Sequence, residues 1–384
     1  MSMEPTVANR AALYNDNKLK LGFFAANCSS GRAATKVPER WPASWEENLA
    51  LAQAADAAGI DFLLPIARWK GYRGETNFHG SVLESTMWAC GLLAQTQRIT
   101  IFSTIHAPLF HPVVAAKQIA TADLVGRGRM AMNVVCGWNQ DEFDMFAIEN
   151  REHDKRYAYA REWLQVIRRL WSEAAEFDFE GEFIKLKNLI SNPKPYGGSR
   201  PLIMNAGASV AGQEFALEQS DILFSLLITP EQGRAAVATA RARAALINRN
   251  DIKVFTAGYY VCRPTRREAL DYHRYYVEEN GDFEAYEHLL DLQFPSPQAR
   301  LHHGAQALRN RHIGGNGSYP MIGSPDDIAH ELKMISDLGF DGIAASFVNY
   351  TQEFPLFRDE VLPRLERLGL RSRPTWHDEP VTLG

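Results

Sequence analysis

Arg68, Thr104, His106, Asn133 and Ser209 are the residues whose types and settings could do chemistry in this chain. Each stands where a short apolar run ends. Ala67-Arg68 closes one run, Thr104-Ile105-His106 the next, Asn133 and then Cys136-Gly137-Trp138 a third, and Asn205-Ala-Gly-Ala-Ser209 a fourth. Together they offer a guanidinium, hydroxyls, an imidazole and amides, a donor and acceptor set that suits a polar heteroaromatic ligand. Other chemistries find less support. The four cysteines form no CxxC pair, His330-Glu331 lacks the second His of HExxH, and the His302–His312 cluster has no persuasive ligand spacing, so no metal is expected. Gly207-Ala-Ser-Val-Ala-Gly212 misses the hydrolase GxSxG by one residue, and Ser209 is better placed to begin a helix. With no GxGxxG after a strand and no GxxxxGK[ST], a Rossmann dinucleotide site and a P-loop are both disfavoured.

Elements that hold such residues together must end at one place. Strands are expected at Leu19–Ala25, Asp61–Ile66, Ile99–Thr104, Met130–Val135, Leu202–Asn205, Ile222–Ser225, Val254–Val261 and Gly342–Val348. Amphipathic stretches separate them: Trp45–Ala58, Leu83–Gln95, a helix from near Pro112, Asp154–Trp171 and Ile328–Leu338 after the Ser324-Pro325 cap. Eight strands alternating with helices predict a (β/α)8 TIM-type barrel, in which function collects at the strand C-termini. Phe177–Leu186 alternates around Glu180-Gly181 and reads as an inserted hairpin, and the loop Arg68–His79 is too long for mere connection. Residues 266–318 are rich in charge and His and read as an excursion or lid within one barrel domain spanning 1–384.

Composition sets outer limits. At 384 residues with 46% hydrophobic and 23% charged residues, the chain is globular and long enough for one large barrel. The balance of 41 basic against 46 acidic residues gives a net charge of −5, so a nucleic-acid partner is not expected. No apolar run approaches a membrane span and residues 1–20 lack a signal-peptide core, so a cytoplasmic protein with free thiols is expected.

The segment Gly128-Arg-Met-Ala-Met-Asn-Val-Val-Cys-Gly-Trp138, with Glu142-Phe143 and His153-Asp-Lys-Arg-Tyr157, resembles the bacterial-luciferase-like flavin-dependent monooxygenases. It is most similar to their pyrimidine and dimethylsulfone monooxygenase branch. The likeness continues through Phe183, Pro193-Lys-Pro195, Asn205–Ser209 and Ile322-Gly-Ser-Pro, most of the chain. The resemblance implies a barrel that holds FMN noncovalently, takes it reduced from a separate flavin reductase, and uses dioxygen to oxygenate a small organic substrate through a flavin peroxide. It also implies a homo-oligomer. By position within the matching motifs, Ala67 and Arg68 correspond to flavin contacts, and Asn133 and Glu142 to contacts beside the ring system. Arg156, Tyr157 and Ser209 correspond to the phosphate or ribityl end, and Thr104 and Asn133 to the pocket where oxygen meets flavin. His106 is a further catalytic candidate from its place at a strand end.

Each assignment has a plainer counterpart. Arg156 could be a surface charge, Glu142 a solvated helix-start carboxylate, His106 a partner for a loop carbonyl, Thr104 a β-branched strand residue, and Trp138 barrel packing. Phe23, Trp69, Tyr72, Phe78, Phe110 and Trp138 are candidate walls for a compact substrate. The loop 26–40 and residues 266–318 match neither named substrate type. A deazaflavin-dependent hydride-transfer enzyme and a noncatalytic flavin-binding protein are the rival readings.

Overall fold

The computed structural model describes residues 12–293 and 306–374. Eight of its strands close into a parallel barrel: β1 (Lys20–Phe24), β2 (Phe62–Leu64), β3 (Thr100–His106), β4 (Met130–Val135), β7 (Leu202–Asn205), β8 (Ile222–Phe224), β9 (Lys253–Cys262) and β11 (Gly342–Ser346). The order β9-β11-β1-β2-β3-β4-β7-β8 returns to β9, so neither edge is left open. All eight expected strands are present, and the barrel fold is as the sequence predicts. A two-stranded antiparallel hairpin, β5 (Phe177–Glu180) and β6 (Lys185–Leu189), sits between β4 and β7 at the expected place. A further strand, β10 (Tyr319–Gly323), lies against the upper half of β9 and was not foreseen.

Two cores divide the apolar residues by the period of two along each strand. Phe62, Leu64, Phe102, Ala131, Leu202, Met204, Ile222, Phe224, Phe255 and Ala257 fill the barrel interior. The alternate residues, such as Leu21, Phe23, Leu63, Ile101, Met132 and Ile203, pack outward against the helices. The interior has no spare room: Phe62 meets Phe102 and Phe255 at ring centroid distances of 5.8 and 5.4 Å. A Cβ on Gly22 would lie 2.4 Å from the Phe62 ring. Leu13, just before β1, joins this cluster from the N-terminal end. The filled interior leaves the strand C-termini as the place for a ligand.

The helices that matter for the site are α1 (Trp45–Ala57), α2 (Ser85–Gln95), α3 (Pro112–Val125), α4 (Gln140–Met145), α5 (His153–Ser172) and α6 (Val210–Gln219). Buried polar groups lock them to the strands. Asp56, at the end of α1, accepts from the backbone N–H groups of Gln97, Arg98 and Ile99 at 2.9, 2.8 and 2.7 Å, fixing where β3 begins. Glu84 rather than Leu83 opens α2, because its carboxylate caps the N–H groups of Thr86 and Met87. β3 runs two residues past its expected end, so His106 lies within the strand and pairs with Val135.

The region after β9 is mostly helical among the described residues. Helices α7 (Pro230–Leu246), α8 (Arg266–Arg274) and α9 (Phe283–Gln293) are followed by a helix at Gln306–Gly315, and those after β9 pack around Tyr276, Val277, Tyr286, Leu290 and Ile313. The charges that dominate the composition lie on the outer faces, so this excursion is a helical layer with its own apolar core. It covers the strand C-termini: Asp282 N–H donates to Ala34 O at 2.8 Å, and its carboxylate accepts from Thr76 N and Oγ1 at 2.8 and 2.7 Å. Arg309, Arg311 and His312 belong to the helix Gln306–Gly315, while His302 and His303 lie outside the described residues. Gly22→Val should lower stability by about 1–3 kcal/mol through overpacking against Phe62, read as a lower urea midpoint with unchanged slope.

Candidate active site

The mouth of the barrel is built from three connected groups. At the top of the interior, Thr104 and Asn133 face each other across β3 and β4 in direct register. Thr104 Oγ1 donates to Pro65 O at 2.6 Å and accepts from Asn133 Nδ2 at 3.2 Å. The hydroxyl proton is therefore engaged, and the pair presents one remaining amide N–H and the amide oxygen rather than two free donors. Asn133 Oδ1 is buried and has no partner.

Beside it lies a buried ion pair. Arg68 Nη1 donates to Glu142 Oε1 at 2.7 Å, with both side chains almost completely out of solvent. The same oxygen accepts from Trp69 N at 2.8 Å, and the other carboxylate oxygen stands 3.5 Å from His106 Nδ1. Glu142 is thus no solvated helix-start carboxylate. α4, capped by Asn139, turns it inward. The Arg68 guanidinium sits 5.1 Å from the ring centroids of both Tyr72 and Trp138, which fixes its plane. Burial and the Arg68 charge push the His106 imidazole down to about 3, so at neutral pH it meets Glu142 as an uncharged ring. A cavity of about 10 Å³, room for about one water, lies among His106, Trp138, Asn139 and Glu142.

The third group is a helix start. Ser209 caps α6 by accepting from Gly212 N at 3.1 Å and hydrogen-bonds Tyr157. Close approach is possible because a Cβ on Gly207 would lie 2.4 Å from the Gly212 backbone, and one on Gly212 would lie 2.5 Å from the Tyr157 hydroxyl. Arg156, near the start of α5, donates from Nη1 to Gly137 O at 2.6 Å, while its buried Nε has no partner. It is not a plain surface charge. A guanidinium, a phenol and a helix N-terminus form a set that receives an anion.

The structure therefore joins Ala67, Arg68, Thr104, His106, Asn133 and Glu142 around one mouth and sets Arg156, Tyr157 and Ser209 on its β4–β7 side. One expected wall is elsewhere. Phe23 points out of the barrel against Phe347, Tyr350 and Phe354, because the strand period places Phe24 inward instead. Trp69 packs on Phe110 and Phe146 and is partly exposed. Asn205 braces the backbone, donating to Val134 O and accepting from Gly207 N. The sequence reading missed Asn27, whose amide accepts from Ile66 N at 3.0 Å and donates to Ile66 O and Leu83 O, holding the turn that carries Ala67 and Arg68. Nothing local marks it, since its partners are 39 and 56 residues away. A cavity of about 380 Å³ at the opposite end, by Lys20, Asp221 and Asp341, offers no comparable set. Lys20 Nζ is already bound to Asn15 and Asn17, and Asp221 is held by Arg200.

The chain is 29% identical over 360 residues to the FMNH(2)-dependent dimethylsulfone monooxygenase of Pseudomonas fluorescens (strain Pf0-1), covering 92% of this chain and 96% of that protein. It is also 29% identical over 356 residues to the pyrimidine monooxygenase RutA of Allorhizobium ampelinum (strain ATCC BAA-846 / DSM 112012 / S4), covering 90% and 95%. The solved structure of riboflavin lyase (RcaE) with modified FMN and riboflavin shares the fold, with a TM-score of 0.82, 22% identity and coverage of 93% of each chain. No helix among the described residues is long and apolar enough to cross a membrane. The luciferase-like monooxygenase family model matches residues 19–342, and with this barrel, this mouth and that match the chain belongs to the luciferase-like monooxygenases.

Proposed function

We propose that this chain is a two-component monooxygenase that receives reduced FMN from a separate flavin reductase and uses dioxygen to oxygenate a small organic substrate at the barrel mouth. The observation that carries the reading is a set of orphaned polar atoms there: Asn133 Oδ1, Arg68 Nε and Arg156 Nε are all buried without partners. Buried polar atoms are ordinarily paired, so three around one mouth point to a bound polar group that completes them. FMN fits their chemistry. Asn133 Oδ1 would accept from a ring N–H, Ala67 and Arg68 would border the ring, and Arg156, Tyr157, Ser209 and the start of α6 would hold the phosphate. The FMNH(2) dependence of the dimethylsulfone monooxygenase relative supports the same cofactor.

When bound, reduced FMN supplies two electrons and allows dioxygen to deliver one oxygen atom to substrate. The residues of the chain prepare the setting. Arg68 is already balanced by Glu142, so it offers directed N–H groups to an anionic ring rather than a bare charge. Thr104 holds the Asn133 amide in one orientation through its bond to Pro65 O. His106, uncharged at neutral pH, offers one N–H donor and one acceptor nitrogen, 3.5 Å from Glu142 and beside a cavity with room for about one water. The helical layer over the strand ends limits water access, which protects reactive oxygen species from loss as hydrogen peroxide. A homo-oligomer remains part of the proposal.

The direct test mixes the purified protein with FMNH2, labelled dioxygen and a panel of small organosulfur and heteroaromatic compounds. A product carrying one labelled oxygen is the expected result, and flavin oxidation that never labels any product sinks the reading. Arg156→Gln and Ser209→Ala should each weaken FMN binding about tenfold while leaving riboflavin binding within twofold, since only FMN carries the phosphate. For His106 the sign is set by its lowered value: the unfolded chain binds a proton below about 6.5 and the folded one only near 3. Its contribution to stability is therefore present above about 6.5 and is lost as pH falls toward 3. Histidine-labelled NMR should show the His106 ring still neutral at about pH 5, a point at which an ordinary histidine is protonated.

A further inference from the structure

Arg32 lies in the loop after β1 and is 5% exposed. Its Nε donates to Gly315 O at 3.3 Å and to Ser318 Oγ at 3.2 Å, and its Nη2 to Asn316 O at 3.0 Å and Ser318 Oγ at 2.8 Å. Among the described residues Nη1 has no partner and no carboxylate pairs with this guanidinium. The guanidinium carbon rests 4.2 Å from the centroid of Phe24, the residue that ends β1 inside the barrel, and Phe24 meets Phe224 at 5.8 Å. The groups whose charges it feels most are Tyr350, Cys28 and Tyr72. None of these is an anion at neutral pH, because burial raises all three.

The charge inventory of the mouth is unbalanced. Arg68, Arg156 and Arg32 are cations; Glu142 is engaged by Arg68, Trp69 N and His106, Asp282 by Thr76, and among the described residues no carboxylate pairs with Arg156 or Arg32. A phosphate would balance Arg156. Arg32 stays unmatched, and a buried cation with only carbonyl and hydroxyl partners is costly unless a complementary anion arrives. Arg32 bridges the loop of β1 and the segment that leads from β9 to β10. In the barrel order β1 stands four strands from β7, and β9 four from β3, so Arg32 is remote from the proposed phosphate end, whereas β1 pairs with β2 and Arg32 shares Cys28, Tyr72 and His79 as neighbours with Arg68. Arg32 thus occupies the β9–β1 side of the mouth, with Phe24 and Phe224 as an apolar floor.

We propose that the substrate of this chain is an organic oxyanion, a carboxylate or a sulfonate, whose oxygens pair with Arg32 while its carbon skeleton lies on Phe24 and Phe224. The proposal rests on the monooxygenase reading for the meaning of the word substrate, and it deepens that reading by naming the charge. The fork of a guanidinium matches two oxygens of a carboxylate or sulfonate, and an uncharged sulfone or amide gives it no countercharge.

Methanesulfonate and dimethyl sulfone are a matched pair of methyl-bearing probes, one anionic and one neutral. Titrated into the flavin-free protein and followed by saturation-transfer NMR, methanesulfonate should bind saturably and at least tenfold more tightly than dimethyl sulfone. Arg32→Gln should weaken methanesulfonate at least tenfold and leave dimethyl sulfone within twofold. Ser318→Ala, which removes one bond to the guanidinium but keeps its charge, should hold methanesulfonate within threefold of the wild type. Equal binding of the two probes by the wild type overturns the proposal without any variant, so it stays decidable even if Arg32→Gln fails to fold. It is also overturned if Arg32→Gln binds methanesulfonate normally, or if an anaerobic titration shows FMNH2 affinity falling more than methanesulfonate affinity. In that last case the guanidinium serves the reduced cofactor. Because the probe titration needs no flavin, failure to bind FMN would sink the cofactor reading separately and leave the Arg32 result standing.

Discussion

The buried pair of Arg68 and Glu142 is the constraint on which the mouth depends. Leaving either charge unpaired by removing the other would cost several kcal/mol. Their pairing brings the end of β2 and the short helix α4 together and sets the backbone of Trp69 on the same carboxylate oxygen. Burial keeps the His106 ring beside it uncharged, and the nearby guanidinium adds to that effect. One ion pair thus orients a donor and fixes a loop.

The rest of the architecture makes that pair possible. A closed barrel with a filled interior provides a rigid floor, and the outward core anchors each helix against the strand it follows. Loops can then carry polar chemistry without having to stabilise the fold, the division that suits this scaffold to many reactions. The helical layer between β9 and β10 adds a roof with its own apolar packing, clasped to the first two loops through Asp282 and Arg32. The site is therefore enclosed between the filled barrel as a floor and this helical layer as a roof.

The sequence made the strands legible because a strand buried on both faces needs a continuous apolar run, and eight such runs stand out. It also marked Ser209 as a helix start, which the cap to Gly212 N bears out. Local pattern was less informative where long-range packing decides. The region 266–318 looked polar because its charges are numerous, yet Tyr276, Tyr286 and Ile313 meet only when three helices fold over β9. Phe23 and Phe24 are adjacent in the chain, and a shift of one position exchanges which ring faces the barrel interior.

By itself the sequence determined the class of fold, the polar residue types at the strand ends and, through resemblance, the family. These depend on local periodicity and on motifs contiguous in the chain. Tertiary structure decided which charges are paired and which are left over. Arg68 meets Glu142 across 74 residues, and Arg32 reaches Ser318 across 286, so no window of sequence contains either relation. A charge's meaning in a protein is set by its desolvation and its nearest partner, and both exist only once the chain has closed around it.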